Sequence, residues 1–452
     1  MKRLLVISYY FPPSGGPGVQ RVLKHIQYLP EFSWEPIVFT VQDGDYPARD
    51  ESLLKKIPEN TQVIRVPFFE PYRLYRKLTG KPEGVPVDVN VIKKEDQKIS
   101  LKEKIAEFIR ATFFIPDARI AWLFSAKKEL KSLFRALKID AVYSSSPPYT
   151  CSLIGHYVQK EFGIPWVAGF RDPWTNFISS PKRWFLPASI DKNMEHTVFS
   201  KADAVECAWK GIIKDVFNKY SDLSIDKFHF VPNGFDSADF PKVDFQGNEK
   251  FTITYTGSMY GRRNPKSFLE AVELLLQKKL IEIEKVKLRF VGRFGAEVEE
   301  MFENTTFQNS IEKISYCHHS ESIKHLLSSD ALLLIVDESK ESEEIVPGKV
   351  YEYLGVGKPV IAIAPKKSAI SKLINETKAG EIAHQTEIEK IADIILKYYI
   401  AWKEKKQVIF PNTELINSFE RRNAASQLAD ILEELLIIQE VKLQQKFILS
   451  EK

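Results

Sequence analysis

The chain has 452 residues, 44% hydrophobic and 27% charged, which is material for two cores of about 200 residues each and excludes a disordered composition. Its formal net charge of +4 is too mild to single out nucleic acid as a partner. The three cysteines, Cys151, Cys207 and Cys317, have neither metal-ligand spacing nor the density of a disulfide framework, so a reducing compartment is expected.

Residues 4–10 read as a buried strand. The basic start before them has the outline of an export signal, but the apolar run ends at Pro12-Pro13 without a small-residue cleavage site. A loop containing Gly15 and Gly16 follows, then a helix over 19–29 with Val22, Ile26 and Leu29 on one face. Strand, glycine loop and helix open a doubly wound α/β sheet, and such glycines let a ligand approach the backbone closely. Further strands are expected at 36–41 and 63–66. From about 70 to 138 the chain interleaves Lys and Arg with aromatics such as Tyr72, Phe108, Phe113, Trp122 and Phe124. This reads as a basic/aromatic insertion, with a polar loop at 80–96 and helices at 100–109 and 121–137. Its amphipathic stripe suits either a core or an anionic membrane surface, although no stretch nears the roughly 18 apolar residues of a span.

A strand over 141–143 runs into Ser144-Ser145-Ser146-Pro147-Pro148-Tyr149, small hydroxyls where open α/β sheets place ligands, which marks Ser146 and Tyr149 as acceptor-side candidates. A helix over 150–161 and a strand over 166–170 end in Arg171-Asp172, a structural ion pair or a pair that holds substrate hydroxyls. After a strand over 228–231, Asn233-Gly234 signals a turn near the middle of the chain. The opening layout then repeats: strand 251–255, a loop from Gly257 with Arg262, Arg263 and Lys266, and a helix over 266–278. Clustered cations in such a loop suit a diphosphate, or are solvated loop charges. Strands at 286–291, 314–316 and 331–336 and a helix over 320–327 follow. His318-His319 hint at metal, but no third ligand has suitable spacing.

The most informative stretch is EEIVPGKVYEYLGVGKPVIAI at 343–363. Pro347-Gly348 should open a helix whose unpaired N–H groups attract phosphate. Lys349 adds a charge there, and Glu352, one turn on, suits the hydroxyls of a sugar. Glu344 and Glu352 are separated by seven residues, and the run continues Glu-Tyr-Leu-x-x-Gly-Lys-Pro-Val-Ile. This resembles the Glu-x7-Glu signature of retaining GT-B glycosyltransferases, especially family 4.

That resemblance implies two Rossmann-like doubly wound domains facing each other across a cleft. It implies an acceptor domain at 1–235, a nucleotide-sugar donor domain at 236–412, and a C-terminal helix crossing back, with a basic tail, at 413–452. Glu352 would bind ribose, and Glu344, with Glu343 as a competing neighbour, would lie beside the donor sugar. Gly15, Gly16, Gly257, Gly348 and Lys349 would line the donor. Arg263 with Lys266, or Arg262, would hold its diphosphate, and His318 would border the base. Arg171 stands where many relatives have His, so Arg171-Asp172 is kept in the site without a general base, and Asn233 joins the acceptor side. The implied activity is transfer of a sugar from a nucleoside-diphosphate sugar to a glycan or lipid-linked acceptor hydroxyl, without cofactor or metal. Bacterial surface polysaccharide or lipid-linked glycan synthesis is the implied setting, in the cytoplasm or at the inner face of an anionic membrane. A nucleotide-sugar epimerase of the same fold, or a non-catalytic nucleotide-sugar-binding subunit, are the alternatives.

Overall fold

The computed structural model describes residues 1–46, 49–68, 101–175, 177, 180–242, 247–338 and 346–450. The 80–96 loop, Glu343 and Glu344 lie outside these residues. The chain forms two compact units, Met1–Pro232 with Arg421–Lys452, and Asn233–Glu420. Sequence places the passages at about 235 and 412; the compact units change at 232 and 420.

In the first unit, β1 (Lys2–Ser8), β2 (Trp34–Val41), β3 (Gln62–Val66), β4 (Ala141–Ser146), β5 (Trp166–Phe170), β6 (Ala204–Cys207) and β7 (Phe228–Phe230) make a parallel sheet in the order 3-2-1-4-5-6-7. β1 is apolar on consecutive positions, Leu4 to Ile7, because helices cover both faces of a parallel sheet. Those helices are α1 (Pro17–Tyr28), α2 (Leu101–Phe113), α3 (Trp122–Ala136), α4 (Thr150–Phe162), α5 (Phe185–Lys201) and α6 (Lys210–Lys219).

In the second unit, β8 (Phe251–Thr256), β9 (Val286–Gly292), β10 (Ile311–Ser315), β11 (Ala331–Ile335), β12 (Val360–Ile363) and β13 (Gly380–Ala383) are ordered 10-9-8-11-12-13, again parallel. Its helices are α7 (Lys266–Gln277), α8 (Ala296–Glu303), α9 (His319–Leu327), α10 (Gly348–Val356), α11 (Ala369–Thr377), α12 (Ile388–Lys403) and α13 (Thr413–Asn417). The chain then returns to the first unit as α14 (Arg421–Ser450), whose Ala424, Leu428 and Leu432 join Val19, Val22 and Ile26 of α1 in one core. The basic tail continues this helix to Ser450.

In both sheets the strand order reverses beside the first strand of the unit, between β1 and β4 and between β8 and β11. Ligands of open α/β sheets bind outside the carboxyl ends at such switch points. The expected short strand at 314–316 is β10, three residues earlier. The strand expected to stop at 143 continues through Ser146, so all three serines are buried inside β4. The sequence gives no helical signal for α5, because its buried positions include Asp191 and Glu195. These carboxylates are satisfied internally: Asp191 accepts from Trp174 Nε1 and Arg183 Nε, each at 2.8 Å, and Glu195 from Lys219 Nζ at 3.2 Å and the Tyr220 hydroxyl at 2.8 Å.

Candidate functional site

In the second unit, β8 and β9 end with their backbones in contact. The Gly257 N–H donates to Val291 O at 2.8 Å. Gly292 has φ +151, and a Cβ there would lie 2.0 Å from the Gly257 carbonyl oxygen, so only glycine fits. The loop 258–265 that follows is tied to the segment after β9, with the Met259 N–H donating to Arg293 O at 3.0 Å, and carries Arg263, whose Nη2 meets Asp337 Oδ1 at 3.1 Å beyond the end of β11. Arg263 Nε is buried with no hydrogen-bond partner among the described residues.

The helix expected at Pro347–Gly348 is α10, with Pro347 in an extended conformation at its N-cap. It is fixed from below by Tyr353, whose buried hydroxyl accepts from the Thr256 N–H at 2.9 Å and donates to Leu333 O at 3.3 Å, tying α10 to β8 and β11. Lys349 therefore points back to the β8 tip. Its Nζ lies 4.1 Å from the Tyr255 ring centroid and 3.4 Å from Thr256 O. Desolvation pushes its ammonium down to about 7; the Arg263 guanidinium adds to the shift and Glu352 opposes it. A desolvated ammonium beside a guanidinium at one switch point gains when an anion arrives.

Glu352 accepts from, or pairs with, His319 Nε2 at 2.7 Å through Oε1, both side chains remaining partly open to solvent. The family resemblance points to His318, which is the N-cap of α9; its neighbour His319 is the residue that meets Glu352. Lys266 opens α7 as an exposed side chain 3.9 Å from Glu270, and Arg262 is exposed in the loop, so no contact brings either to Lys349. Glu344 lies outside the described residues. Gly348 needs no special conformation, since a Cβ there would meet open space.

In the first unit, Gly16 precedes α1 with φ +98, and a Cβ on Gly18 would lie 3.4 Å from Arg171 Nη2. Gly15 is half-buried in the same loop. Arg171 thus sits against the start of α1, held by hydrogen bonds from Nη1 to Ser145 Oγ at 2.5 Å and from Nη2 to Pro147 O. Burial raises the Asp172 carboxyl above its usual range, against the pull of Arg171. Ser146 Oγ is turned inward to Ser152 Oγ at 2.7 Å, and Tyr149 donates to Pro173 O while stacking on Trp174 at 4.5 Å. The structure therefore groups Arg171 with the α1 loop and spends the Ser146 hydroxyl on the fold. Asn233 is the first residue of the second unit; two residues on, Phe235 packs where Gly355 of α10 leaves room for its ring.

Sequence reasoning missed a buried cluster below this loop. Arg21 Nη2 meets Glu206 Oε1 at 2.8 Å, Tyr143 donates to Glu206 Oε2 at 2.6 Å, and His25 Nε2 lies 3.4 Å from Oε1. A charge inside the four-residue apolar strand β6 was the available signal, since a buried charge needs a partner. An Asp-x-Asp spacing, not expected from the sequence reading, is present at Asp43-Gly44-Asp45 beyond β2, where the Asp45 N–H donates to the Tyr9 hydroxyl at 2.9 Å. Among the described residues, no group of three or more His, Cys, Asp or Glu side chains is placed to hold a metal ion.

No curated protein matches the sequence. Among solved structures, the lipopolysaccharide glycosyltransferase WaaG is similar over 95% of this chain and 99% of its own, at 14% identity and TM-score 0.55. A TarM variant from S. aureus, solved with UDP, is similar over 96% and 100%, at 12% identity and TM-score 0.57. A Listeria monocytogenes protein described as a UDP-N-acetylglucosamine 2-epimerase is similar over 95% of each chain, at 12% identity and TM-score 0.52. The chain thus has the α/β fold of the GT-B glycosyltransferases, and its residues 236–410, nearly all of the second unit, match the family model of glycosyl transferases group 1.

Proposed function

We propose that the protein is a retaining glycosyltransferase of the family 4 type, using a nucleoside-diphosphate sugar as donor and a glycan or lipid-linked hydroxyl as acceptor. One observation carries the reading: Arg263, Lys349 and the start of α10 converge at the β8/β11 switch point, with Glu352 one turn further along α10. The diphosphate lies against the cations and the α10 N-terminus, where its charge as leaving group is stabilised without a metal. Glu352 accepts from the ribose hydroxyls. Arg171 and Asp172 serve the acceptor side, and the departing phosphate assists attack from the same face.

On this reading Glu352→Ala weakens binding of the cognate nucleoside diphosphate by about 1.5–3 kcal/mol, the worth of a hydrogen bond to a charged group. Calorimetric titration checks this; unchanged affinity in a folded variant removes the ribose assignment. The activity itself is tested by incubating donor with and without acceptor and reading the product's anomeric coupling by NMR. Acceptor-dependent release of nucleoside diphosphate with a retained anomer supports the proposal. The alternative, an epimerase, is favoured by the His319–Glu352 pair, a base and carboxylate of the kind that ionises a sugar hydroxyl. Epimerised donor appearing without acceptor would put that reading in its place, and binding with no turnover would leave a non-catalytic subunit.

We further propose that the protein works in the cytoplasm, at the inner face of an anionic membrane. Among the described residues no helix is long and apolar enough to cross one. Phe108 and Phe113 of α2 and Trp184, Phe185 and Leu186 at the start of α5 are exposed. Trp184 Nε1 donates to Thr112 Oγ1 at 3.0 Å, and Arg183 donates to the carbonyls of Ala111, Phe114 and Pro116, so the two segments form one patch beside the exposed Lys182. Aromatic side chains with adjacent cations suit an anionic interface. The double variant Trp184→Ser/Phe185→Ser should reduce co-sedimentation with phosphatidylglycerol vesicles at least about tenfold, from the lost apolar area; equal sedimentation contradicts the surface.

A further inference from the structure

The contact between His319 and Glu352 joins residues that are 33 positions apart, on two different helices. Ile323 and Leu326 place His319 on the inner face of α9, at i, i+4 and i+7, and they share a core with Val350, Tyr351, Tyr353 and Leu354 of α10. That packing sets the two helices against each other, so the 2.7 Å approach follows from the fold. Only Oε1 of Glu352 is involved; the carboxylate has a second oxygen with lone pairs of its own.

We propose that His319 is a positioning residue for the nucleotide ribose: it anchors Oε1 of Glu352 and thereby aims Oε2 at the 2′ and 3′ hydroxyls. This rests on the assignment of Glu352 to the ribose. A glutamate has three rotatable side-chain bonds, and without an anchor it must be ordered each time a nucleotide binds. With the anchor in place that cost is met in folding, and the carboxylate is preorganised. His319 touches no reacting atom, so it acts on affinity for the ribose and leaves the chemical step alone. The selectivity it supports is for ribonucleotides over nucleotides lacking those hydroxyls.

The test measures dissociation constants of UDP, GDP, ADP and CDP and of their 2′,3′-dideoxy forms for the full chain and for His319→Ala, His319→Gln and Glu352→Ala, with melting temperatures as a control for folding. The full chain should prefer the ribo form of its cognate diphosphate by about tenfold or more. Glu352→Ala should abolish that preference, and His319→Ala should remove most of it. His319→Gln, whose amide nitrogen reaches the place of Nε2, should restore it, and the dideoxy form should bind all four proteins alike. If Glu352→Ala loses the preference while His319→Ala keeps it, the positioning role is overturned and the ribose assignment stands. If Glu352→Ala keeps it, the ribose assignment falls and the positioning role with it. Tighter ribo binding by His319→Ala would show that the histidine competes with the ribose for Glu352, which also overturns the proposal. Binding of no diphosphate overturns both.

Discussion

Glu206→Gln should destabilise the first unit by about 3–5 kcal/mol, the cost of removing one partner from a buried ion pair. Gln keeps the shape and part of the hydrogen bonding but removes the charge that Arg21 faces at 2.8 Å, which breaks an ion pair whose two side chains are both buried. Arg21 also donates to Val231 O at 2.8 Å and Pro232 O at 3.2 Å, so the loss reaches the last residues before the chain leaves the unit. Urea unfolding followed by tryptophan fluorescence reads this unit well, because six of the seven tryptophans lie in it. The same cluster fixes the sign of the acid response. Burial alone would raise Glu206, but Arg21, His25 and Tyr143 hold it well below the usual carboxylate range, and burial lowers His25. Both groups are depressed in the folded state, so both contribute stability at high pH. The His25 share is lost as pH falls below about 6.5, the unfolded value, and the Glu206 share only below about 4. A Glu206→Gln unfolding free energy within 1 kcal/mol of the wild type would contradict this account.

Lys349 should make nucleotide binding proton-linked, with affinity falling as pH rises above about 7. The free ammonium is pushed down to about 7 by desolvation, so above that pH Lys349 is mostly neutral in the unliganded site. A diphosphate beside it favours the charged form, and binding then takes up a proton. The slope reaches up to tenfold per pH unit until the pKa of the bound state is passed. A terminal phosphate, with a second pKa of about 6, is already ionised there and adds little to the slope. Calorimetry in buffers of different ionisation enthalpy, at pH 8, should show uptake approaching one proton per nucleotide. Lys349→Met should flatten the profile and weaken binding at pH 7 by about 1.5–3 kcal/mol. A flat wild-type profile from pH 7 to 9 with no proton uptake contradicts the role of Lys349.

Much of this arrangement is local, and what is local is legible in sequence. β1 is an apolar run and β8 a run of β-branched and aromatic residues, both stopping at glycine loops, and α10 announces itself through Pro347-Gly348 at its start and Gly357, with φ +72, at its end. Arg263, Lys349 and Glu352 could be named because each lies within a few residues of such a boundary. The rest depends on contacts between distant residues. His319 meets Glu352 across two helices, and no spacing within either helix signals it. α5 is hidden because Asp191 and Glu195 occupy the inward positions where periodicity looks for apolar side chains. Ser146 looks like a ligand hydroxyl in sequence and becomes a structural one only when Ser152 of α4 is seen 2.7 Å away. Lys266 and Arg263 are three residues apart, yet Lys266 opens α7 and only Arg263, in the loop before it, is drawn to Asp337 at the β11 tip.

The most direct measurement is a calorimetric titration of the purified chain with UDP, GDP, ADP and CDP, repeated with Arg263→Ala and Lys349→Met. The account expects one diphosphate to bind with clear preference, and both variants to weaken it at least tenfold while remaining folded. Binding of none of them, or binding that neither substitution changes, would mean that the β8/β11 switch point is not the donor site.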